Sequence, residues 1–276
     1  MYLDYWQLDA KPFEPHADPA FLFAGAAYTA ALHKLRYAIG QRRAAGLVVG
    51  PAGVGKTLLV ETLARELVDE AQPQVHVVFP QMTDRDLLVY LAERLDAPVA
   101  DPPRHTIEES LRRLEYALAD NVRQGRHALI VIDEAHLLED SGLVEPLRLL
   151  LNLSVGGRAP LTLLLVGQPG AAPMVARHGG LDERMDIKVL LPALSAAETA
   201  AYVEHRLAAA GASREIFTRA ALETIHLLTR GVPRRINRLC DLALVVGFAN
   251  QARCVDAADL QAVNDELIAF TPAAAA

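Results

Sequence analysis

Cysteine is nearly absent from this sequence, with only Cys240 and Cys254 in 276 residues. Two thiols build neither a disulfide framework nor a set of zinc ligands, so a reduced, cytosolic setting is expected. Aromatic residues are also scarce, at 5% against 52% hydrophobic residues overall. The core must therefore be mainly Leu, Ala, Val and Ile, which suits helices covering a parallel sheet. No run approaches the ~18 apolar residues of a membrane span. The opening Met1-Tyr2-Leu3-Asp4-Tyr5-Trp6 lacks the basic residues and apolar segment of a signal peptide. Membrane association is thus left to a partner. Positive charge is in deficit, with 27 Lys and Arg against 34 Asp and Glu, a net charge of −7. That balance weighs against a wide non-specific nucleic-acid surface and leaves room for a local basic patch.

A chain of this length holds one large domain or two ordinary ones. What is present is organised around Gly50-Pro51-Ala52-Gly53-Val54-Gly55-Lys56-Thr57, which fits G-x-x-x-x-G-K-[ST]. Leu47, Val48 and Val49 precede it as a short apolar strand. Leu58, Leu59, Leu63 and Leu67 follow at helical spacing, with Glu61, Arg65, Glu66 and Asp69 on the other side, so the loop joins a strand to a helix. Glycines let the backbone fold around an anion with no Cβ in the way, and the loop N–H groups and helix N-terminus supply positive partial charge. Lys56 would reach the β- and γ-phosphates of a nucleotide, and Thr57 would place its hydroxyl on Mg²⁺. A glycine-rich turn with a chance lysine is the competing reading, and the flanking strand and helix count against it.

The first 25 residues, with Trp6, Phe13, Pro15, Pro19, Phe21 and Phe23, read as an irregular segment draped over the fold. A helix over 28–41 follows, with Leu32, Leu35 and Ile39 inward; it is either a wall for a nucleotide base or a plain packing helix. After the loop helix, Val75–Phe79 reads as a buried strand ending at Pro80. Helices are expected over 83–96 and 107–123, the second announced by Thr106-x-x-Glu109, with Pro98, Pro102 and Pro103 between them. Strands are expected at Ala128–Ile132, Leu161–Val166 and Ile187–Leu191, with a helix over 141–153. Strands alternating with helices, all with apolar interiors, imply an α/β parallel sheet with helices on both faces. From Ser195 the strand signal stops. Ser195-x-x-Glu198 opens a helix to Ala210, and further helices over 218–229, 233–248 and 256–268 complete a small all-α unit.

The third strand ends in Asp133-Glu134-Ala135-His136. At a strand's carboxyl end, Asp133 can hold Mg²⁺ through water, and Glu134 can orient and deprotonate the water that attacks a γ-phosphate. A simple helix N-cap is the competing use of the pair. His136 reads as a surface or helix-start histidine.

Gly50–Thr57, Asp133-Glu134, Gln168 after the fourth strand, Arg184 before the fifth and Gly231-Val232-Pro233-Arg234-Arg235 together resemble an AAA+ ATPase. More narrowly, Tyr2-Leu3-Asp4, Pro12-Phe13, Asp18-Pro19, the Leu32–Ile39 helix and Pro233-Arg234-Arg235-Ile236-Asn237-Arg238-Leu239 resemble the ExeA type, the general secretion pathway protein A-like ATPases. The resemblance implies a P-loop core over residues 1–192 carrying an N-terminal arm at 1–25, a helical lid over 193–270 and a disordered tail at 271–276. It implies ATP or ADP and Mg²⁺ as ligands, held by Gly50 to Thr57 with Leu58, Asp133 and Arg234. Gln168 would be a first sensor at the γ-phosphate, or else a turn-capping glutamine. Arg184 would be an arginine finger offered to a neighbouring subunit, or else a surface arginine paired with Asp182 or Asp186. Arg234 would be a second sensor, with Arg235 and Arg238 as competitors. A guanidinium suits both arginine roles because its rigid fork matches phosphate oxygens and stays charged.

Many ExeA-type chains continue into a membrane span and a peptidoglycan-binding module. This sequence ends after the lid, so a direct role at the cell wall is not expected. Family members also often carry Asn before the proline that ends the second strand, where this chain has Phe79-Pro80. Any coupling that Asn gives to Glu134 would be lost here, or carried by Gln81 or Thr83. The resulting expectation is a homo-oligomeric, Mg-dependent ATPase that couples nucleotide state to remodelling of a protein assembly. It would be cytoplasmic, or peripheral at the inner membrane through a membrane-bound protein partner. The alternative is a DNA-associated AAA+ regulator of the transposition-ATPase type, with Arg230, Arg234, Arg235 and Arg238 in one helical region.

Overall fold

A computed structural model describes residues 2–14, 18–69, 71–78, 80–95 and 106–269. The chain divides into two units, one comprising 27–52 and 56–191, the other 1–26, 53–55 and 192–276.

The first unit is built on five strands, β1 (Ala45–Val49), β2 (Gln74–Val77), β3 (Ala128–Ile132), β4 (Leu161–Gly167) and β5 (Met185–Leu190). They lie in the order β2-β3-β4-β1-β5, and every pairing is parallel. Composition explains the positions. Every residue of β3 and of β4 is buried, as a strand covered on both faces requires, whereas β2 and β5 alternate between covered and accessible positions and form the edges. Aliphatic residues from these strands and from the helices Asp84–Arg94 and Ile107–Arg123 make one core, with Leu87, Leu91, Leu114, Leu118, Ile130 and Leu163 at its centre. Thr83 and Thr106 start those two helices by accepting hydrogen bonds from the backbone N–H of Asp86 and Glu109.

The expected helix over 141–153 is not continuous. A 3-10 turn (Ala135–Leu137) and a short helix (Leu138–Ser141) come first, and Gly142, at φ +73°, ends the latter before Val144–Leu150 begins. Two further short helices, Ala171–Arg177 and Gly179–Asp182, occupy the link between β4 and β5, which carries no long apolar repeat to announce them. Pro98, Pro102, Pro103 and the 271–276 tail lie outside the described residues.

The second unit holds the helices Ala196–Ala209, Arg219–Thr229, Pro233–Ala249 and Ala257–Ala269. Ser195 and Glu198 form the complete reciprocal cap anticipated for the first of these. The N-terminal segment, expected as an irregular arm of the α/β domain, instead belongs to this helical unit and begins with a helix, Tyr2–Trp6. Hydrophobic burial explains the placement. Trp6 is fully buried in the helical core with Leu8, Phe13 and Phe21, and its indole Nε1 donates to Leu244 O at 2.9 Å. Gly247 leaves room for that ring, since a Cβ there would stand 2.9 Å from it. Arg206 fastens the rest of the segment by donating to the carbonyls of Pro12, Glu14 and Phe21. The loop residues Gly53 to Gly55 also cluster with this unit, where Arg234 N donates to Gly53 O at 3.2 Å.

Candidate nucleotide site

Parallel pairing of all five strands sends their carboxyl ends to one edge of the sheet, and residues expected at a phosphate site stand immediately beyond those ends. Gly50 follows β1, Asp133 follows β3 and Gln168 follows β4. Gly50 N donates to Gly167 O at 3.2 Å, and Asp133 N donates to Val77 O at 2.9 Å, so the strand ends are tied to each other.

The loop after β1 takes the conformation its glycines allow. Gly53 and Gly55 sit at φ +83° and +100°, the left-handed region that a side chain disfavours. A Cβ on Gly53 would also come within 2.8 Å of Arg234 Cβ. Lys56 begins the following helix with its side chain turned back into the loop, where Nζ donates to Gly50 O at 2.9 Å and Pro51 O at 3.0 Å. Its ammonium is thus held inside the ring of loop backbone where an anion would sit. Thr57, one residue on, donates from Oγ1 to Asp133 Oδ2 at 3.1 Å.

Asp133 is buried, which alone would raise its carboxyl. The approach of His76, the backbone N–H of Glu134 and the Thr57 hydroxyl more than offset burial and hold it below the usual carboxylate range. His76 Nε2 lies 3.7 Å from Asp133 Oδ2, too long for a hydrogen bond. An ionised carboxylate beside a hydroxyl is the hard-oxygen donor set that suits Mg²⁺, which takes one or two protein ligands and completes its shell with water and substrate phosphate. No cluster of three or more His, Cys, Asp or Glu able to hold a metal by itself occurs among the described residues.

Glu134 occupies a left-handed conformation, φ 50° and ψ 37°, which turns the chain sharply at the end of β3. Its carboxylate Oε2 faces His136 Nδ1 at 3.3 Å, and His136 Nε2 meets Gln168 Nε2 at 3.1 Å. Sequence reasoning read His136 as a surface or helix-start histidine; it does lie in the 3-10 turn Ala135–Leu137, and the structure sets its ring between two of the expected site residues. Its nearness to the acidic pair, two residues after Glu134, was the available signal.

The expected arginines are placed differently from the loop residues. Arg184 pairs with neither Asp182 nor Asp186. It donates to Leu151 O at 2.7 Å and to Asn152 Oδ1, while Lys188 takes Asp182. Arg234 touches the loop through its backbone, and its side chain, like those of Arg235 and Arg238, is exposed. Thr83, considered as a partner for Glu134, is committed to Asp86 as a helix cap. In the helix Ala26–Gly40, Leu35 and Ile39 are buried as expected, and Tyr28 donates to Thr62 Oγ1 at 3.0 Å.

Comparisons with known proteins bear on the family and the fold. Residues 39–175 match the family described as "AAA domain". General secretion pathway protein A of Aeromonas hydrophila is 33% identical over 252 residues, which cover 90% of this chain and 45% of that protein. This chain therefore spans less than half the length of that relative. Among solved structures, the Aeropyrum pernix ORC2 protein in its ADPNP-ADP complexes has a TM-score of 0.66 at 15% identity, covering 94% of this chain and 72% of that one. Drosophila ORC bound to DNA gives 0.68 at 18% identity, with 96% and 66% covered. The Thermotoga maritima RuvB Holliday junction branch migration motor gives 0.60 at 17% identity, with 93% and 73% covered. At such identities the solved structures speak for the fold alone. The phosphate loop, the parallel sheet that carries it and the relative matched over most of the chain lead to one assignment: the chain belongs to the AAA+ P-loop proteins, of the general secretion pathway protein A-like (ExeA) type.

Proposed function

We propose that this chain binds ATP with Mg²⁺ and hydrolyses the bond between the β- and γ-phosphates, in an assembly whose subunits complete one another's sites. The contact between Thr57 and Asp133 carries the reading, because it joins the phosphate loop to the acidic end of β3, as one metal–triphosphate would require. On this reading the loop from Gly50 to Gly55 and the first turn of the helix, with Leu58, cradle the phosphates. Lys56 exchanges its bonds to Gly50 O and Pro51 O for phosphate oxygens. Thr57, and Asp133 through water, would hold Mg²⁺, which would supply positive charge to the phosphate oxygens. Glu134 takes a proton from the attacking water, and Gln168 positions that water or the γ-phosphate.

Arg184 would act on the nucleotide of a neighbouring subunit. To do so it must give up its bonds to Leu151 and Asn152, so assembly serves as the switch. Such an arginine is worth ~10³–10⁵ in rate. Arg234, whose backbone already holds Gly53, would report nucleotide state to the helical unit. The likeness to General secretion pathway protein A supports a secretion-associated role, in which the assembly acts on a protein partner, membrane-bound or not, from the cytoplasmic side. No helix among the described residues is long and apolar enough to cross a membrane. Steady-state phosphate release measured across protein concentration tests the reading. Turnover per subunit should rise with concentration; a rate per subunit that stays flat while the protein self-associates would contradict it.

A further inference from the structure

We infer that His136 is a positioning residue that ties Gln168 to Glu134, so that the γ-phosphate sensor and the general base move as one unit. The inference rests on the roles proposed above for those two residues.

Three local features bring the imidazole to this point. The left-handed turn at Glu134 folds the chain back on itself, and Leu137 N closes the turn on Glu134 O at 2.9 Å. Gly167 ends β4 against this turn; a Cβ on it would lie 3.0 Å from Ala171 Cβ and 3.1 Å from His136 N, tighter than ordinary contact. Without a Cβ at Gly167 the two strand ends approach closely enough for Gln168 to reach the ring. The outcome is a chain of three polar side chains across neighbouring strands, from Glu134 Oε2 to His136 Nδ1 at 3.3 Å, and from His136 Nε2 to Gln168 Nε2 at 3.1 Å.

The two ring nitrogens have different duties. With the Gln168 amide donating into Nε2, the neutral ring carries its proton on Nδ1, directed to the Glu134 carboxylate. That second contact is close but not aligned. Glu134 Oε2 and His136 Nδ1 are both shut off from solvent, and neither has a well-formed hydrogen bond among the described residues. A buried acceptor facing a buried donor without an aligned bond gains stability when the ring turns to meet it. A shift of Gln168 toward a γ-phosphate would turn the ring and align the pair, fixing the orientation of a glutamate whose side chain is otherwise 47% exposed. Placement of a reacting group to within about 1 Å governs rate by roughly 10²-fold. His136 thus acts on turnover through Glu134 and does not touch the nucleotide.

The test is a double-mutant cycle on the full chain, with phosphate release and binding of a fluorescent ATP analogue as readouts. His136→Ala should lower kcat about tenfold to hundredfold with analogue affinity unchanged, and Gln168→Ala should cost less in that background than it does in the wild type. His136→Asn, which keeps a donor toward Glu134 but loses the acceptor for Gln168, should recover part of the turnover lost in His136→Ala. Additive losses, unchanged kcat in His136→Ala, or equal defects in Ala and Asn variants of matched thermal stability would each overturn the inference. Failure of the underlying reading shows separately, as wild-type protein without turnover or Glu134→Gln protein that hydrolyses ATP at the wild-type rate.

Discussion

Thr57 Oγ1 donates to Asp133 Oδ2 at 3.1 Å, across 76 positions of sequence. On the proposed reading, removing the hydroxyl would delete one hard-oxygen ligand and free the carboxylate, so Thr57→Ala should weaken nucleotide binding about tenfold in Mg²⁺ and much less in EDTA. Titrations of the variant with and without the metal check this; an equal loss in both would place the hydroxyl on something other than the ion.

Arg184 is held by Leu151 and Asn152 within its own chain, and on the proposed function it would leave them for a neighbour's site. Neither Arg184→Ala nor Glu134→Gln protein should turn over alone. Mixed, they should recover part of the wild-type rate, because some interfaces then pair an intact arginine with an intact base. Absence of rescue at every ratio would assign Arg184 to its own subunit.

The helical unit depends on a glycine and a tryptophan that are far apart in sequence. Gly231 sits at φ +67°, and a Cβ there would lie 1.9 Å from Leu194 O, whose backbone N in turn donates to Gly231 O at 2.9 Å. Gly231→Ala cannot be accommodated without moving backbone and should destabilise the unit by about 3 kcal/mol or more. Trp6→Ala should cost about 3–5 kcal/mol for the cavity and the lost bond to Leu244. Chemical denaturation followed by far-UV circular dichroism reads both; a Trp6→Ala midpoint equal to wild type would detach the N-terminal segment from the helical core.

His127 is buried against Thr162, with Nε2 2.8 Å from the hydroxyl, and burial, aided by the nearby Arg42, lowers its pKa to about 4. A histidine depressed on folding binds fewer protons than its unfolded form below about pH 6.5. Its contribution is therefore fully present above pH 6.5 and is lost as pH falls to about 4, a span worth about 2 kcal/mol after solvent screening. His127→Gln should flatten the stability profile between pH 6.5 and 4 compared with wild type; identical slopes would show that the ring is already charged in the folded protein.

The strands and the loop were legible in sequence because each depends on local pattern. Continuous apolar runs bounded by turn residues located β3 and β4, and the glycines of the loop lie where positive φ is needed. The N-terminal segment was misplaced because its aromatic and proline residues identify a buried, irregular start without naming the core that buries it. Trp6 finds Leu244 across 238 positions. His136 was passed over for a similar reason. Its partner Gln168 lies 32 residues away, just past the end of β4, and the missing Cβ at Gly167 lets the two segments approach.

Nucleotide binding and turnover, compared in Lys56→Ala and Glu134→Gln proteins, test the central claim most directly, namely that one magnesium–triphosphate lies between the loop after β1 and the acidic end of β3. Lys56→Ala should lose ATP affinity, whereas Glu134→Gln should bind ATP as tightly as wild type in Mg²⁺, release phosphate at least 10²-fold more slowly and accumulate as an ATP-bound oligomer. Equal loss of binding in both, or undiminished turnover in Glu134→Gln, would contradict it.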